Sequence, residues 1–202
     1  MCEGFLFAAL PGVNSHGINF VSSAILAGAS AILTDKIGYS KYFSNSNTSN
    51  VVFVVVENPR ETLARCAALW FEQQPAQIVA VTGTNGKTSV ASFCQQIWSN
   101  LDIEAVSIGT NGVRGAWTQS LRHTTPDALE MHQLLFNLKA NGIDHVALEA
   151  SSHGLDQSRL DGVQFSGACF TNFSQDHLDY HKSKDDYFCL LYTSPSPRDV
   201  RS

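Results

Sequence analysis

A short glycine-containing segment constrains this chain more than any other feature. An apolar run, Ile78-Val79-Ala80-Val81, leads into the loop Gly83-Thr84-Asn85-Gly86-Lys87-Thr88, and a stretch with helical apolar spacing follows. A strand, a glycine loop and a helix in this order form an anion site, because the glycines let the backbone turn its N–H groups towards one ligand and the helix N-terminus adds partial positive charge. Lys87 can then reach the β- and γ-phosphates of a nucleotide, and Thr88 can offer its hydroxyl to magnesium.

The loop departs from the full phosphate-loop pattern G-x-x-x-x-G-K-[ST], because Val81 stands where the first glycine is expected. The alternative is a glycine turn with an incidental lysine. The segment after the loop favours the phosphate site, since its apolar residues have the spacing of one buried helix face. These residues are Val90, Phe93, Cys94, Ile97 and Leu101.

Composition excludes several classes of protein. The chain has 202 residues, 44% of them apolar and 15% charged, which indicates a folded rather than a disordered protein. Its net charge of −5 and the absence of a basic stripe argue against a nucleic-acid partner. No apolar stretch approaches the roughly 20 residues that span a bilayer, and the first residues lack a signal-peptide pattern. Five scattered cysteines without C-x-x-C disfavour a zinc site or a disulfide framework, so we expect a cytoplasmic protein without membrane insertion.

The first 75 residues predict a small α/β unit. Asn19 is placed to cap one helix, Asn58-Pro59 begins another, and the Ser- and Asn-rich stretch 39–50 predicts a loop. The predicted strands are 5–10, 31–34 and the β-branched run 51–56, which should be buried. Gln73-Gln74-Pro75 is the expected linker, so the predicted domains are 1–75, 76–188 and a tail at 189–202. The tail has two Ser-Pro pairs and no periodicity, and we interpret it as disordered or non-native.

The second unit alternates strands with helices, which predicts a mostly parallel, doubly wound sheet. An Asn-Gly turn at 111–112 suggests a hairpin, and Thr125-Pro126-Asp127 begins a helix. Ligands bind at the carboxyl ends of the strands in such sheets. Gly83, Glu149 and Asn172 all follow predicted strands. The expected fold class is therefore α/β, with a small N-terminal α/β unit before a partial P-loop-type sheet.

Several polar residues outside the loop are candidates for chemistry. Glu149 could bind magnesium, or it could cap the following serine turn. The segment 176–181, which contains His177, could bind metal or phosphate, and a solvated loop is the alternative. Arg159 could bind a phosphate or carboxylate, or lie on a helix surface. Thr124 and Thr125 could cap a helix, contact a ligand, or both. We reject a serine hydrolase, because no G-x-S-x-G elbow is present.

Four motifs in order make the chain resemble the Mur ligases over roughly residues 4–188, and most closely those members that add the third residue of the peptidoglycan stem peptide. The motifs are TGTNGKT at 82–88, HTTPD at 123–127, EASSHGL at 149–155 and FTNFSQDHLDYH at 170–181. The segment 5–12 also resembles the uridine-binding N-terminal domain of this family.

The resemblance implies an ATP- and Mg²⁺-dependent amide ligase. In that chemistry ATP phosphorylates the D-Glu carboxylate of UDP-MurNAc-L-Ala-D-Glu, and the amino group of L-lysine or meso-diaminopimelate attacks the acyl phosphate. The resemblance further implies that Lys87 contacts the phosphates and that Thr88, Glu149 and His177 serve magnesium. It assigns the UDP-muramoyl peptide to Asn14, Ser15, Thr124, Thr125, Ser151, Gln157 and Arg159.

The sequence also departs from the family pattern. A strand upstream of residue 4 and a third, amino-acid-binding domain are expected, and neither is found. The family's carbamylated lysine, a magnesium ligand, should lie close to Leu191, yet no lysine follows Lys184. We therefore expect an inactive piece of a ligase. The alternatives are a non-catalytic nucleotide or UDP-sugar binding module, and a related ligase such as folylpolyglutamate synthase or the D-Ala-D-Ala-adding enzyme.

Overall fold

The computed structural model divides the chain into two units, Met1–Leu63 and Ala64–Ser202, and each is described by itself. The division falls inside one helix, whereas the sequence predicts a boundary after Pro75. The structure describes residues 4–12, 15–44, 50–174 and 183–192.

The N-terminal unit contains a three-stranded, all-parallel sheet of order β1-β2-β3. Its strands are β1 (Leu6–Ala8), β2 (Ala31–Thr34) and β3 (Val52–Val55). Its helices are a 3-10 helix (Gly17–Phe20), α1 (Val21–Leu26), α2 (Lys36–Ser44) and the start of α3 (Pro59–Phe71). Asn58 accepts the Glu61 N–H at 3.2 Å, which confirms the predicted start of α3.

The predicted loop over 39–50 is wrong for residues 39–44, which belong to α2. Asp35 caps this helix by accepting the Gly38 N–H. Tyr42 is buried, and its ring lies 5.2 Å from that of Phe53 in β3. The aromatic spacing at Tyr39, Tyr42 and Phe43 was a helical signal that the Ser- and Asn-rich composition concealed.

Two further predictions for this unit are corrected. Asn19 caps no helix, because it lies inside the 3-10 helix, and His16 accepts the Ile18 N–H at 3.0 Å instead. The strand predicted to be buried is an edge strand in the described sheet. Val52, Val54 and Val55 of β3 are therefore 63%, 41% and 38% exposed.

The second unit contains a five-stranded sheet, whose strands are β4 (Gln77–Thr82), β5 (Ala105–Gly109), β6 (Gly112–Gly115), β7 (His145–Glu149) and β8 (Gly167–Phe170). Their order in the sheet is β6-β5-β7-β4-β8, and only β6 is antiparallel to its neighbour. The β5–β6 pair is the hairpin predicted at Asn111-Gly112. The helices of this unit after α3 are α4 (Lys87–Asn100), α5 (Ala128–Ala140), α6 (Ser152–Asp156) and α7 (Lys184–Tyr192).

Helices cover both faces of this sheet, as the alternation of side chains along the strands requires. Leu135 of α5 packs in one core cluster with Ile78 and Leu148. Ala91 of α4 packs in another with Val81 and Ala147. The mixed α/β architecture with a doubly wound parallel sheet is thus confirmed.

The buried face of α4 agrees only in part with the predicted one. Phe93, Ile97 and Leu101 are 59%, 59% and 64% exposed. The predicted Val90 and Cys94 do pack against the sheet, partly buried, together with Ala91 and Trp98, which were not predicted. The two apolar stripes overlap and both have helical spacing, so the sequence alone could not choose between them.

The final described segment is helical. Helix α7 includes Cys189–Tyr192 of the predicted tail, with Leu191 buried, and residues 193–202 lie outside the described part. In the described part of the chain, no helix combines the length and the apolar character needed to cross a bilayer.

Candidate functional site

The carboxyl ends of three adjacent parallel strands converge on one region of the second unit. β7 lies between β5 and β4 in the sheet, and it ends at Glu149. β4 leads into Gly83, and β5 leads into Thr110. Residues that are far apart in sequence therefore meet at one edge, as the predicted parallel topology requires.

The glycine loop has the backbone geometry that its sequence predicts. Gly83 and Gly86 have φ angles of +127° and +85°, which favour glycine. A side chain on Gly83 would also collide with the Thr171 hydroxyl. Lys87 Nζ donates to the carbonyl oxygens of Gly83 at 2.7 Å and Thr84 at 2.9 Å. The loop thus holds its lysine close to the first turn of α4, whose N–H groups point along the helix axis.

The chain that follows β8 braces the loop. Asn172 accepts the Thr84 N–H through its carbonyl oxygen at 2.9 Å, and the Asn85 N–H through its side chain at 3.1 Å. Thr171 donates its hydroxyl to the Asn85 carbonyl at 2.7 Å. These bonds hold the N–H and C=O groups of the peptide units that precede Lys87. A segment distant in sequence therefore fixes the conformation of the loop.

Glu149 is 3% exposed and faces the loop helix. Its carboxylate accepts the Thr88 hydroxyl at 2.9 Å and the Thr110 N–H at 3.0 Å. The Thr110 hydroxyl lies 3.4 Å away. The capping alternative for Glu149 fails, because the oxygen that caps the following turn belongs to Ser151, which accepts the Gly154 N–H at 3.1 Å.

The surroundings of Glu149 fit a divalent cation. Within the described residues its carboxylate bonds only neutral donors, and a buried charge without a partner charge is costly. A cavity of about 40 Å³ borders both Thr88 and Glu149. Roughly 10–15 Å³ is enough for one water, and carboxylate, hydroxyl and water oxygens are the ligands that magnesium prefers. No cluster of three or more His, Cys, Asp or Glu side chains occurs in the described ranges, so water or phosphate oxygens would have to complete the coordination.

A network of hydroxyl groups connects Glu149 to the two predicted substrate threonines. The Thr110 hydroxyl lies 3.1 Å from that of Thr124. Thr125 is buried, donates to the Glu149 carbonyl at 2.8 Å, and lies 2.9 Å from the Ser151 hydroxyl. The structure brings these predicted residues together within hydrogen-bond distance.

Arg159 is held in a fixed orientation beside these threonines. Its Nη1 donates to the Thr125 carbonyl at 2.7 Å, and its Nη2 donates to Gln157 Oε1 at 2.8 Å. The side chain is only half-buried, and it borders the cavity described next. Gln157 is not among the residues that line that cavity, and its Oε1 accepts hydrogen bonds from the guanidinium, so its contact with substrate stays a prediction.

A cavity of about 460 Å³ lies at this edge of the sheet. Its size suits a small-molecule substrate, and Lys87 and Arg159 give it cationic lining groups. The predicted residues that line it are Lys87, Thr124, Thr125, Ser151 and Arg159. Five lining residues were not predicted as site residues: Thr110, His123, Ser152, His153 and Tyr187. Thr110 could have been found, because it directly follows the predicted strand that ends at Gly109.

Three predicted residues are not brought into this constellation. His177 and Asn14 lie outside the described residues. Ser15 is exposed and belongs to the N-terminal unit, which is described by itself. Their roles stay predictions.

Two protein-family models match the chain. The one described as Mur ligase middle domain matches residues 81–190, and the one described as Mur ligase family, catalytic domain, matches residues 1–71.

Similar curated proteins are UDP-N-acetylmuramoyl-L-alanyl-D-glutamate–2,6-diaminopimelate ligases. The one from Brucella melitensis is 46% identical over 92% of this chain and 37% of its own length. The one from Caulobacter vibrioides is 48% identical over 91% of this chain and 38% of its own length. The chain thus spans little more than a third of these relatives.

Solved structures of named ligases are also similar to this chain. A structure titled as a ligase of that same name superposes with a TM-score of 0.76 at 29% identity, over 94% of this chain and 38% of the other. MurF ligase from Thermotoga maritima in complex with ADP has a TM-score of 0.57 at 18% identity, over 94% of this chain and 39% of the other, which shows the fold alone.

Proposed function

The chain belongs to the Mur ligase family, and from that premise we propose that it carries the nucleotide- and UDP-muramoyl-binding parts of an ATP-dependent amide ligase. That ligase adds the third amino acid to UDP-MurNAc-L-Ala-D-Glu during peptidoglycan synthesis in the cytoplasm. The names of the similar curated proteins support meso-diaminopimelate over L-lysine as the added amino acid.

In this proposal the glycine loop, residues 83–88, binds the ATP phosphates. The N–H groups at the start of α4 face the anion, and Lys87 releases its two loop carbonyls to contact the β- and γ-phosphates. That exchange of partners is favourable, because a phosphate oxygen carries more negative charge than a backbone carbonyl.

Thr88 and Glu149 would hold magnesium, and His177 would serve a second ion. Bound there, a cation would supply positive charge to offset the negative charge of the transferred phosphoryl group. Thr88 and Glu149 are supported as ligands by their 2.9 Å contact and by the absence of a paired cation around Glu149 in the described part of the chain. His177 rests on the family motif alone.

The acceptor substrate occupies the cavity of about 460 Å³. Arg159 binds an anionic group of the UDP-muramoyl peptide, while Thr124, Thr125 and Ser151 donate or accept hydrogen bonds. Gln157 acts by orienting Arg159. Asn14 and Ser15 are assigned to the uridine end by resemblance.

One observation carries this proposal: the loop lysine and the predicted acceptor residues line a single cavity. A carboxylate bound by Arg159 and the threonines would then lie near the phosphates bound by Lys87. Positioning acceptor and donor close together is a main requirement for phosphoryl transfer.

The acceptor half is tested by calorimetric titration of UDP-MurNAc-L-Ala-D-Glu into the 202-residue chain. We expect Arg159→Ala to weaken binding by about 10-fold or more, because a charge-assisted bond is lost. Arg65→Ala, which removes an exposed arginine from α3, is the matched control and should change nothing. Equal affinities for the Arg159 variant and the unchanged chain would contradict the assignment.

Turnover is tested by ADP release with UDP-MurNAc-L-Ala-D-Glu and either diamino acid. We expect no release from this chain, since no lysine follows Lys184 and the magnesium-ligating lysine of the family is expected close to Leu191. We expect release from the full-length Caulobacter vibrioides relative. Affinity for the UDP-muramoyl peptide without any affinity for ATP would favour the non-catalytic binding module instead.

A further inference from the structure

The hydroxyl of Thr84 connects the glycine loop to two other segments of the chain. Thr84 is only 6% exposed. Its Oγ1 accepts the Ser174 N–H at 3.0 Å, lies 3.2 Å from the Ser174 carbonyl oxygen, and lies 3.2 Å from the Tyr187 hydroxyl. The loop is therefore tied at one side chain to two segments that are distant in sequence.

Counting donors and acceptors assigns the direction of each bond. A threonine hydroxyl has one proton and two lone pairs. The proton is needed for the Ser174 carbonyl, which cannot donate, and one lone pair takes the Ser174 N–H. The second lone pair is left for Tyr187, so the phenol donates to Thr84. The one donor and both acceptor positions of the Thr84 hydroxyl are then used.

Tyr187 is well placed to hold that bond. It is 1% exposed in α7, and its ring centroid lies 5.5 Å from that of Phe173, in the segment that bonds Thr84. It also lines the same cavity as Lys87. A buried aromatic ring has few rotamers available, so its hydroxyl is presented to the loop at little further entropic cost.

We propose that Tyr187 is a positioning residue for the glycine loop. By donating to Thr84, it fixes the peptide units from which Lys87 and the first turn of α4 present their donors to phosphate. This inference rests on the proposed function, because it takes the ligand of the loop to be a nucleoside triphosphate. Helix α7, which is outside the glycine loop, would thus influence the affinity of the loop for the triphosphate.

The test uses Tyr187→Phe in the 202-residue chain, which removes the hydroxyl and keeps the buried ring. Tyr39→Phe is the matched control, because it removes the same atom from a tyrosine in the N-terminal unit. Hydrogen exchange should become several-fold faster at the Thr84 and Asn85 amides in Tyr187→Phe alone. The affinity for MgATP should fall about 3- to 10-fold, as expected for one hydrogen bond, with little change in Tm.

A second variant shows whether the effect passes through Thr84. In a Thr84→Val background the bond between the phenol and Thr84 is already lost, so adding Tyr187→Phe should change neither exchange nor affinity further. Unchanged loop exchange in Tyr187→Phe would overturn the inference, as would faster exchange with unchanged MgATP affinity. An unsubstituted chain with no affinity for MgATP would overturn the proposed function instead, and the exchange measurement would still decide whether Tyr187 fixes the loop.

Discussion

Among the described residues, two carboxylates end or directly follow parallel strands, one in each unit. Asp35 follows β2 in the N-terminal unit, where it caps α2 through Gly38 and lies 3.3 Å from the His16 imidazole. Glu149 ends β7 in the second unit, where it accepts bonds from Thr88 and Thr110. The strand-end position is the same, but the partners differ in kind.

The two carboxylates differ in the groups that surround their negative charge. The Nδ1 of His16 accepts the Ile18 N–H, so its Nε2–H is a neutral donor to Asp35, and the positive end of the α2 dipole offsets the negative charge of Asp35. Glu149 is more deeply buried, accepts no N–H of a helix N-terminus among the described residues, and borders a cavity. Strand-end position alone therefore does not distinguish the two carboxylates, whereas burial beside a cavity without a helix N-terminus makes Glu149 the candidate for binding a cation.

The largest expected effect is the loss of the loop lysine. Lys87→Ala should lower the affinity of the chain for MgATP by roughly 10- to 100-fold, because charge-assisted bonds to phosphate are removed. Lys139→Ala removes an equal charge from α5, where the lysine pairs with Asp144 at 2.6 Å, and should leave the affinity unchanged. Calorimetric titration measures both. Equal affinities of the two variants would remove Lys87 from the site.

Substituting each of the two strand-end carboxylates in turn tests the difference between them. Glu149→Gln should abolish most of the magnesium-dependent gain in ATP affinity, about 10-fold or more. The amide oxygen can still accept the Thr110 N–H, and the amide NH2 can donate to the Thr88 hydroxyl. Asp35→Asn should keep that gain and change the free energy of unfolding by less than about 1 kcal/mol, because Asn caps helices as well as Asp. Titrations with and without Mg²⁺ measure the gain. A similar loss in both variants would erase the distinction between the two carboxylates.

Substitution of a glycine beside Glu149 should have a smaller effect. A Cβ atom on Gly109 would collide with the Glu149 carboxylate, so Gly109→Ala should displace that side chain. We expect a destabilisation of about 1–3 kcal/mol and a few-fold loss of the magnesium-dependent affinity.

Gly167→Ala is the matched control for this glycine, because its added methyl group would meet only Val79 at 3.6 Å. Chemical denaturation and titration compare the two variants. An unchanged magnesium effect in Gly109→Ala would show that the position of Glu149 does not matter.

The smallest expected effect concerns a buried histidine away from the cavity. Burial lowers the pKa of His132 from its ordinary value of 6.5, although the Asp161 carbonyl, 2.9 Å from Nε2, acts in the opposite direction. The folded chain therefore binds fewer protons than the unfolded chain below pH 6.5. Stability should be level above that pH and fall slightly below it.

Thermal unfolding between about pH 5 and 8 measures this dependence, and His132→Gln should have a shallower acid slope than the unchanged chain. Identical slopes would show that His132 titrates alike in both states. Because Lys87 and Glu149 play no part in this effect, MgATP would shift the two curves equally.

Much of the second unit could be predicted from the sequence, because its signals are local. The β5 strand, the Asn-Gly hairpin and the Asp127 cap of α5, which accepts the Glu130 N–H at 3.0 Å, each follow from neighbouring residues. Glu149 at a strand end was also predictable, since parallel strands bring their carboxyl ends to one edge.

What could not be predicted depends on contacts between distant segments. Tyr187 meets Thr84 across 103 positions, and neither residue carries a local signal for the other. The buried face of α4 depended on which of two apolar stripes meets the sheet. The helix over 39–44 depended on packing against Phe53 of β3, which composition did not reveal.

We propose that Glu149 and the glycine loop bind magnesium and ATP together. The decisive experiment is calorimetric titration of ATP into the 202-residue chain, with and without Mg²⁺. We expect the affinity for ATP to rise with Mg²⁺, and we expect this rise to disappear in Glu149→Gln. No affinity for ATP, or an affinity that is the same with and without Mg²⁺, would contradict the proposal.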